Sequence, residues 1–113
     1  MHRDDATLLD IAHAAKRVLL YAADLKKSSL MADDEKQSAI LYQVIVLGEA
    51  TNRLTSEFCS RHSEIPWKEI AGMRDILIHQ YDRITLETLW DVIHQDIPQL
   101  LSFLQPLLSE GLD

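Results

Sequence analysis

The apolar residues in the last third of the chain recur at alternating steps of four and three. They are Leu86, Trp90, Ile93, Ile97, Leu100, Leu104 and Leu107. This spacing places them on one face of an α-helix, whereas a half-buried strand would show alternation at every second residue. Pro98 and Pro106 lie inside the pattern. Each removes a backbone donor and favours a kink, so we expect a bent helix.

Three further helices are predicted upstream of this one. A stripe from Leu8 to Ala22 indicates a first helix over about residues 5–27. The acidic residues 33–35 suit the positive N-terminus of a second helix, whose apolar stripe continues to Phe58. Pro66 marks the next boundary, and a third helix is expected from Trp67 to about Tyr81. The sequence therefore predicts an all-α bundle of four to five helices, with residues 1–113 as one domain.

The charge of the chain limits the kinds of partner it can bind. Its 113 residues carry 11 Lys and Arg against 18 Asp and Glu, a formal net charge of −7. Most of this excess lies in residues 31–60 and 84–113, whereas residues 61–83 are neutral. Binding to nucleic acid by bulk electrostatics depends on Lys and Arg. The composition therefore excludes a general nucleic-acid coat but permits a small cationic cleft.

The location of the protein and its disulfide chemistry follow from equally simple features. Cys59 is the only cysteine, so one chain can form neither an internal disulfide nor a Cys-based metal site. The first residues carry acids where a signal peptide carries bases. The longest apolar stretch, 39–47, is too short to span a bilayer. We expect a cytoplasmic protein without a membrane segment.

The densest group of reactive side chains lies at the end of the third predicted helix. It comprises Arg74, Asp75, His79 and Tyr81. A guanidinium is a permanently charged donor fork that matches phosphate oxygens. An imidazole can give or take a proton near neutral pH. Together they can cleave RNA without a metal, because one group deprotonates the 2′-hydroxyl and the cation stabilises the charge on the phosphorane.

Helical geometry relates these side chains to one another. Asp75 and His79 are one turn apart, so the carboxylate can orient the imidazole. Arg74 and His79 lie about 140° apart around an ideal helix and converge poorly within one chain. A site that draws on two copies of the helix removes this difficulty and favours a homodimer. A structural interpretation stays open, since Arg–Asp pairs and helix-terminal histidines are common.

The motif Arg-x4-His-x-Tyr, at Arg74, His79 and Tyr81, resembles the signature of HEPN-domain toxins of the HepT type. The flanking segments that share the resemblance are Trp67–Met73, Leu47–Ala50 and Leu86–Trp90. It covers roughly residues 8–108. The bare Arg-x4-His pattern would recur by chance, but the full run with its flanks is specific.

The resemblance implies a helical HEPN homodimer that acts as a ribonuclease toxin and uses neither a metal nor another cofactor. It also implies a partner, an MntA-like minimal nucleotidyltransferase antitoxin. By resemblance, Arg74 would stabilise the scissile phosphate of the RNA, His79 would be the general acid or base, and Asp75 would orient them. The antitoxin would transfer AMP from ATP to Tyr81 and so neutralise the toxin.

The residues after the motif depart from those of many relatives. The chain has Asp82 and Arg83 where an aromatic residue or glycine is frequent. Arg83, Lys68 and Arg53 are candidate RNA contacts, although Asp82 would oppose one. Two alternatives stay open: a catalytically silent HEPN bundle that binds a nucleotide or serves as partner of a nucleotidyltransferase, and a plain helical adaptor.

Overall fold

The structure is built from four long helical segments and two short helices. The computed structural model describes residues 3–79 and 86–111, with the backbone alone described for 75–79 and 110–111. The helices are α1 (Arg3–Ala22), α2 (Lys27–Ala32), α3 (Asp34–Thr51), α4 (Ser56–Arg61), α5 (Trp67–His79), α6 (Leu86–Asp91) and α7 (Ile97–Gly111). A π-helical segment, Val92–Asp96, joins α6 directly to α7. All regular structure in these described ranges is helical, as the apolar spacing predicts.

The predicted apolar stripes form one hydrophobic core. Helix α3 packs extensively on α1 and α5, and α1 also packs on α7. Helix α5 contributes Trp67 and Ile70 to this core. The fully buried side chains come from the other long segments and include Ile11, Val18, Ile40, Val44, Leu47, Ile93, Ile97, Leu100 and Leu104. Burial of each such side chain stabilises the fold by roughly 1.5–3 kcal/mol. Among the described residues no helix combines the length and apolar character needed to cross a membrane.

The first helix is shorter than predicted, because the chain turns at Asp24. This residue has a φ of 63°, in the left-handed region, and α1 ends at Ala22 instead of near residue 27. Asp33 then caps α3, since its carboxylate accepts a hydrogen bond of 3.0 Å from the backbone N–H of Lys36. The acidic cluster therefore marks a helix N-terminus, as predicted.

The second predicted helix is in fact two helices, and the prediction that it continues to Phe58 is wrong. Helix α3 ends at Thr51, and Thr55 caps α4 by accepting a hydrogen bond of 3.2 Å from the N–H of Phe58. The buried carboxylate of Asp4 in α1 accepts two hydrogen bonds from Thr55, 3.0 Å from its N–H and 2.7 Å from its hydroxyl. These bonds hold Thr55 outside a helix, so Phe58 reaches the core from α4.

The bend expected in the last helix coincides with a change of helical register before Pro98. The N–H of Ile97 donates to the carbonyl of Val92, five residues back, which is the π-helical pattern. Pro98 has no N–H to donate, so a wider turn here avoids part of the loss that a proline causes in an α-helix. The π turn also shifts the buried face. Leu89 is fully buried, whereas Trp90, which the heptad pattern assigned to the core, is only half-buried.

Candidate active site

Helices α3 and α5 approach each other closely at Gly48. A Cβ atom placed on this buried glycine would lie 2.7 Å from the Cβ of Arg74 and 3.2 Å from the carbonyl oxygen of Ala71. The first distance is shorter than real Cβ contacts, and neither of the atoms met is the far end of a flexible side chain. Only glycine therefore lets α5 pack at this distance, and the contact fixes the base of the Arg74 side chain.

The guanidinium end of the Arg74 side chain is bound by Glu49, the residue after Gly48. Nη1 of Arg74 donates a hydrogen bond to Oε1 of Glu49, and the two side chains form an ion pair. The Arg74 side chain is 25% exposed and that of Glu49 is 54% exposed. The guanidinium thus lies at the protein surface in a defined orientation. Its bond to a carboxylate is of the charge-assisted kind, which is stronger than a bond between neutral groups.

A hollow of about 420 Å³ continues the groove between α3 and α5. Thr51 on its α3 side and Ala71 on its α5 side each lie one helical turn from the Gly48–Arg74 contact. Lys68, exposed at the start of α5, also lines this hollow. The structure therefore places one of the candidate RNA contacts at a hollow one helical turn from the Gly48–Arg74 contact.

Arg53 does not line this groove. It follows the end of α3, and its Nη2 atom lies 3.4 Å from Oδ2 of Asp10 on α1. Both side chains are more than half exposed, so the pair adds little stability. The Asp10 carboxylate offsets the charge that Arg53 would offer to RNA.

The remaining predicted site residues are only partly covered by the structure. Asp75 and His79 lie within α5, so they are one helical turn apart, as the sequence predicts. Their side chains lie outside the described part of the structure. Tyr81 and Arg83 lie outside the described residues altogether. The Asp75–His79 hydrogen bond and the placement of Tyr81 therefore stay predictions.

The thiol of Cys59 is a poor candidate for a nucleophile. It lines the same hollow and is partly buried. Burial, and secondly the negative charge of Asp4, raise the pKa of this thiol above its usual value. Because the thiolate is the reactive form, the thiol is less reactive than an exposed cysteine. In the part of the chain that the structure describes, no group of three or more His, Cys, Asp or Glu side chains could hold a metal ion.

Sequence reasoning did not assign Glu49 a place in the site. Glu49 and Arg74 are 25 residues apart and lie on different helices, so neither motif spacing nor periodicity connects them. One indication of Glu49 was present in the sequence, because the run Leu47-Gly48-Glu49-Ala50 is part of the family resemblance. It predicted a shared segment but not its contact with the motif.

Comparisons with known proteins bear directly on this arrangement of helices and motif. The family model described as "Ribonuclease HepT-like" matches residues 11–107. A protein of Thermococcus cleftensis named "Probable ribonuclease HepT" is 34% identical over 99 residues, 88% of each chain. A protein of Methanocaldococcus jannaschii named "Putative RNase MJ0127" is 29% identical over 105 residues, 93% of this chain and 87% of the relative. No solved structure matches the chain.

The matched segment includes α3 and α5 and most of α1 and α7, together with the Gly48–Glu49 pair and the Arg-x4-His-x-Tyr motif. Arg74 and His79 of this motif lie on α5 of the helical bundle. The chain belongs to the HepT-like ribonuclease family. The prediction of a HepT-like ribonuclease is confirmed at this level.

The close approach at Gly48 predicts opposite effects for the same substitution at two glycines. Gly48→Ala should destabilise the protein by about 1–3 kcal/mol, because the added methyl group forces α3 and α5 apart. Gly72→Ala on α5 should stabilise it by up to about 1 kcal/mol, because alanine favours a helix and nothing lies within 4 Å of the new Cβ. Urea unfolding followed by circular dichroism measures both. A stabilised Gly48→Ala variant would contradict the close approach.

Proposed function

We propose that this chain is a metal-independent endoribonuclease that acts as the toxin of a toxin–antitoxin pair in the cytoplasm. The observation that carries the proposal is the position of Arg74. This cation of the family motif is held at the surface of the α3–α5 groove by Gly48 and Glu49. Membership of the HepT-like ribonuclease family supports the same activity.

The chemistry assigned to the motif is an intramolecular transesterification at a phosphate of the RNA. A base removes the proton of a 2′-hydroxyl, and the 2′-oxygen attacks the adjacent phosphorus. The bond to the 5′-oxygen breaks, and an acid protonates this leaving group, which gives a 2′,3′-cyclic phosphate and a 5′-hydroxyl. His79 acts as the general acid or base, and Arg74 stabilises the negative charge on the phosphorane. Asp75, one turn before His79, orients its imidazole.

The acidity of the protein limits how it binds RNA. With a net charge of −7, attraction to RNA comes from local cations rather than from the whole surface. Lys68 lines the groove near Arg74 and extends the cationic path, whereas Arg53 is paired with Asp10. Arg83 follows the motif and is a further candidate contact. RNA binding should therefore be weak and sensitive to salt.

Two copies of the chain complete the proposed site. Arg74 and His79 diverge by about 140° around α5, so one helix cannot readily direct both at one phosphate. In a symmetric dimer, Arg74 of one protomer and His79 of its partner face a shared cleft. The family resemblance supports the same arrangement.

The proposed partner that silences the enzyme is a minimal nucleotidyltransferase of the MntA type. It transfers AMP from ATP to the hydroxyl of Tyr81 and releases pyrophosphate. The new phosphodiester brings bulk and a negative charge two residues after His79. It pairs with Arg74 or obstructs the RNA path, and either effect stops cleavage.

Cleavage of RNA in EDTA is the first test of the proposal. The wild type should cut, and Arg74→Ala and His79→Ala should each lower the rate by about 10²–10⁴-fold, because they remove charge stabilisation or proton transfer. Matched controls are Arg17→Ala and His13→Ala, which change exposed residues of α1 outside the groove. Equal cleavage by all five proteins would refute the assigned site. No cleavage by any would favour the silent bundle, which binds a nucleotide or a nucleotidyltransferase without cutting RNA.

Mixed dimers test whether the site is shared between protomers. Arg74→Ala and His79→Ala chains with different tags are expressed together, and the mixed dimer is purified by both tags. A shared site leaves one intact Arg–His combination, so the mixed dimer should regain about half of the wild-type rate. A site within one protomer has no intact combination in this dimer. Activity as low as in either parent variant would therefore contradict the shared site.

Modification of Tyr81 is tested by intact mass. After incubation with the cognate nucleotidyltransferase and ATP, the wild type should gain one or more AMP groups and lose ribonuclease activity. Tyr81→Phe should gain none. Tyr42→Phe, which removes an exposed tyrosine of α3, should be modified like the wild type. A Tyr81→Phe chain that still gains AMP would show that another residue is the acceptor.

A further inference from the structure

We infer that Glu49 is the positioning residue of Arg74: it fixes the guanidinium for its action on the RNA phosphate. The inference rests on the proposed function, because it assigns Glu49 a role in the same site. Its evidence is the ion pair between Nη1 of Arg74 and Oε1 of Glu49, made across the α3–α5 groove.

Two of the contacts that hold the Arg74 side chain come from α3. Its Cβ packs where Gly48 leaves room, and its Nη1 atom binds the carboxylate of the next residue, Glu49. Gly48 and Glu49 are consecutive in α3, so both contacts come from one turn of the same helix. An arginine side chain has several rotatable bonds, and fixing both of its ends selects one orientation for the planar donor fork.

Because Glu49 is negatively charged, its removal has different effects if it positions Arg74 and if it only contributes to RNA affinity. A carboxylate beside Arg74 offsets part of the positive charge that RNA meets on approach and opposes a nearby phosphate. Its removal should therefore strengthen RNA binding. If Glu49 only contributed to affinity, its removal would leave the chemical step unchanged. If it positions Arg74, its removal should slow the chemical step while binding improves.

Stability does not account for the pair. The Glu49 side chain is 54% exposed, and ion pairs this open to solvent contribute little to folding. Glu49→Gln keeps the size of the side chain and the helix, so the variant should fold like the wild type. Substitutions at Glu49 can therefore report on the site without unfolding the protein.

The test compares single-turnover rates and RNA affinities of four proteins. Glu49→Gln should lower the rate of cleavage by about 10–100-fold and should bind RNA as tightly as the wild type or more tightly. Glu49→Asp keeps the charge and should recover part of the rate. The matched control, Glu35→Gln, removes an exposed acid at the other end of α3 and should leave the rate unchanged. A wild-type or faster rate for Glu49→Gln would overturn the positioning role.

Nuclear magnetic resonance tests whether Glu49 fixes the guanidinium of Arg74, independently of ribonuclease activity. The Nε–H resonance of Arg74 is identified by its loss in Arg74→Lys. It should move toward the position of a free arginine in Glu49→Gln and stay in place in Glu35→Gln. An unmoved resonance in Glu49→Gln would overturn the inference whether or not the protein cuts RNA. If the wild type does not cleave RNA but the resonance moves in Glu49→Gln, the proposed ribonuclease activity is refuted. The contact of Glu49 with Arg74 is then still supported.

Discussion

The packing of α5 against α3 depends on the absence of a side chain at Gly48. A single methyl group there would meet the Cβ of Arg74 at 2.7 Å, so the two helices could not lie as they do. The same contact decides which residue of α3 reaches the guanidinium, because Glu49 follows Gly48 directly. Helix packing and the orientation of Arg74 are thus set at one place. A helix-packing constraint fixes the base of the arginine, and an ion pair fixes its tip.

This local arrangement explains how an acidic chain can belong to a ribonuclease family. A net charge of −7 repels RNA at long range, although screening confines that effect to short distances at physiological salt. A partly buried arginine with a defined orientation acts on a phosphate only when it is in contact. In the proposed site, specific geometry then replaces bulk attraction.

The interior of the fold and the starts of α3 and α5 were predictable from the sequence, but the ends of α1 and α3 were not. The apolar stripes identified Ile11, Val44, Leu47 and Ile97 as core residues, and all four are fully buried. The break after Thr51 was missed, because it depends on hydrogen bonds from Thr55 to Asp4, 51 residues away in the chain. The shift from Trp90 to Leu89 in the core was also missed, because a π turn adds a residue to the helical repeat.

The sequence by itself determined the helical class, the core stripes and the Arg-x4-His-x-Tyr motif, and hence the family. These are local properties, since periodicity and motif spacing are read within one segment of the chain. Only the tertiary structure decided that Arg74 lies against Gly48 and binds Glu49, that Lys68 lines the hollow next to this contact, and that Arg53 pairs with Asp10. The contacts of Arg74 with α3 and of Arg53 with Asp10 each join residues that are far apart in the sequence. Which face of one helix meets which face of another is set by packing of the whole core, and a single segment does not contain that information.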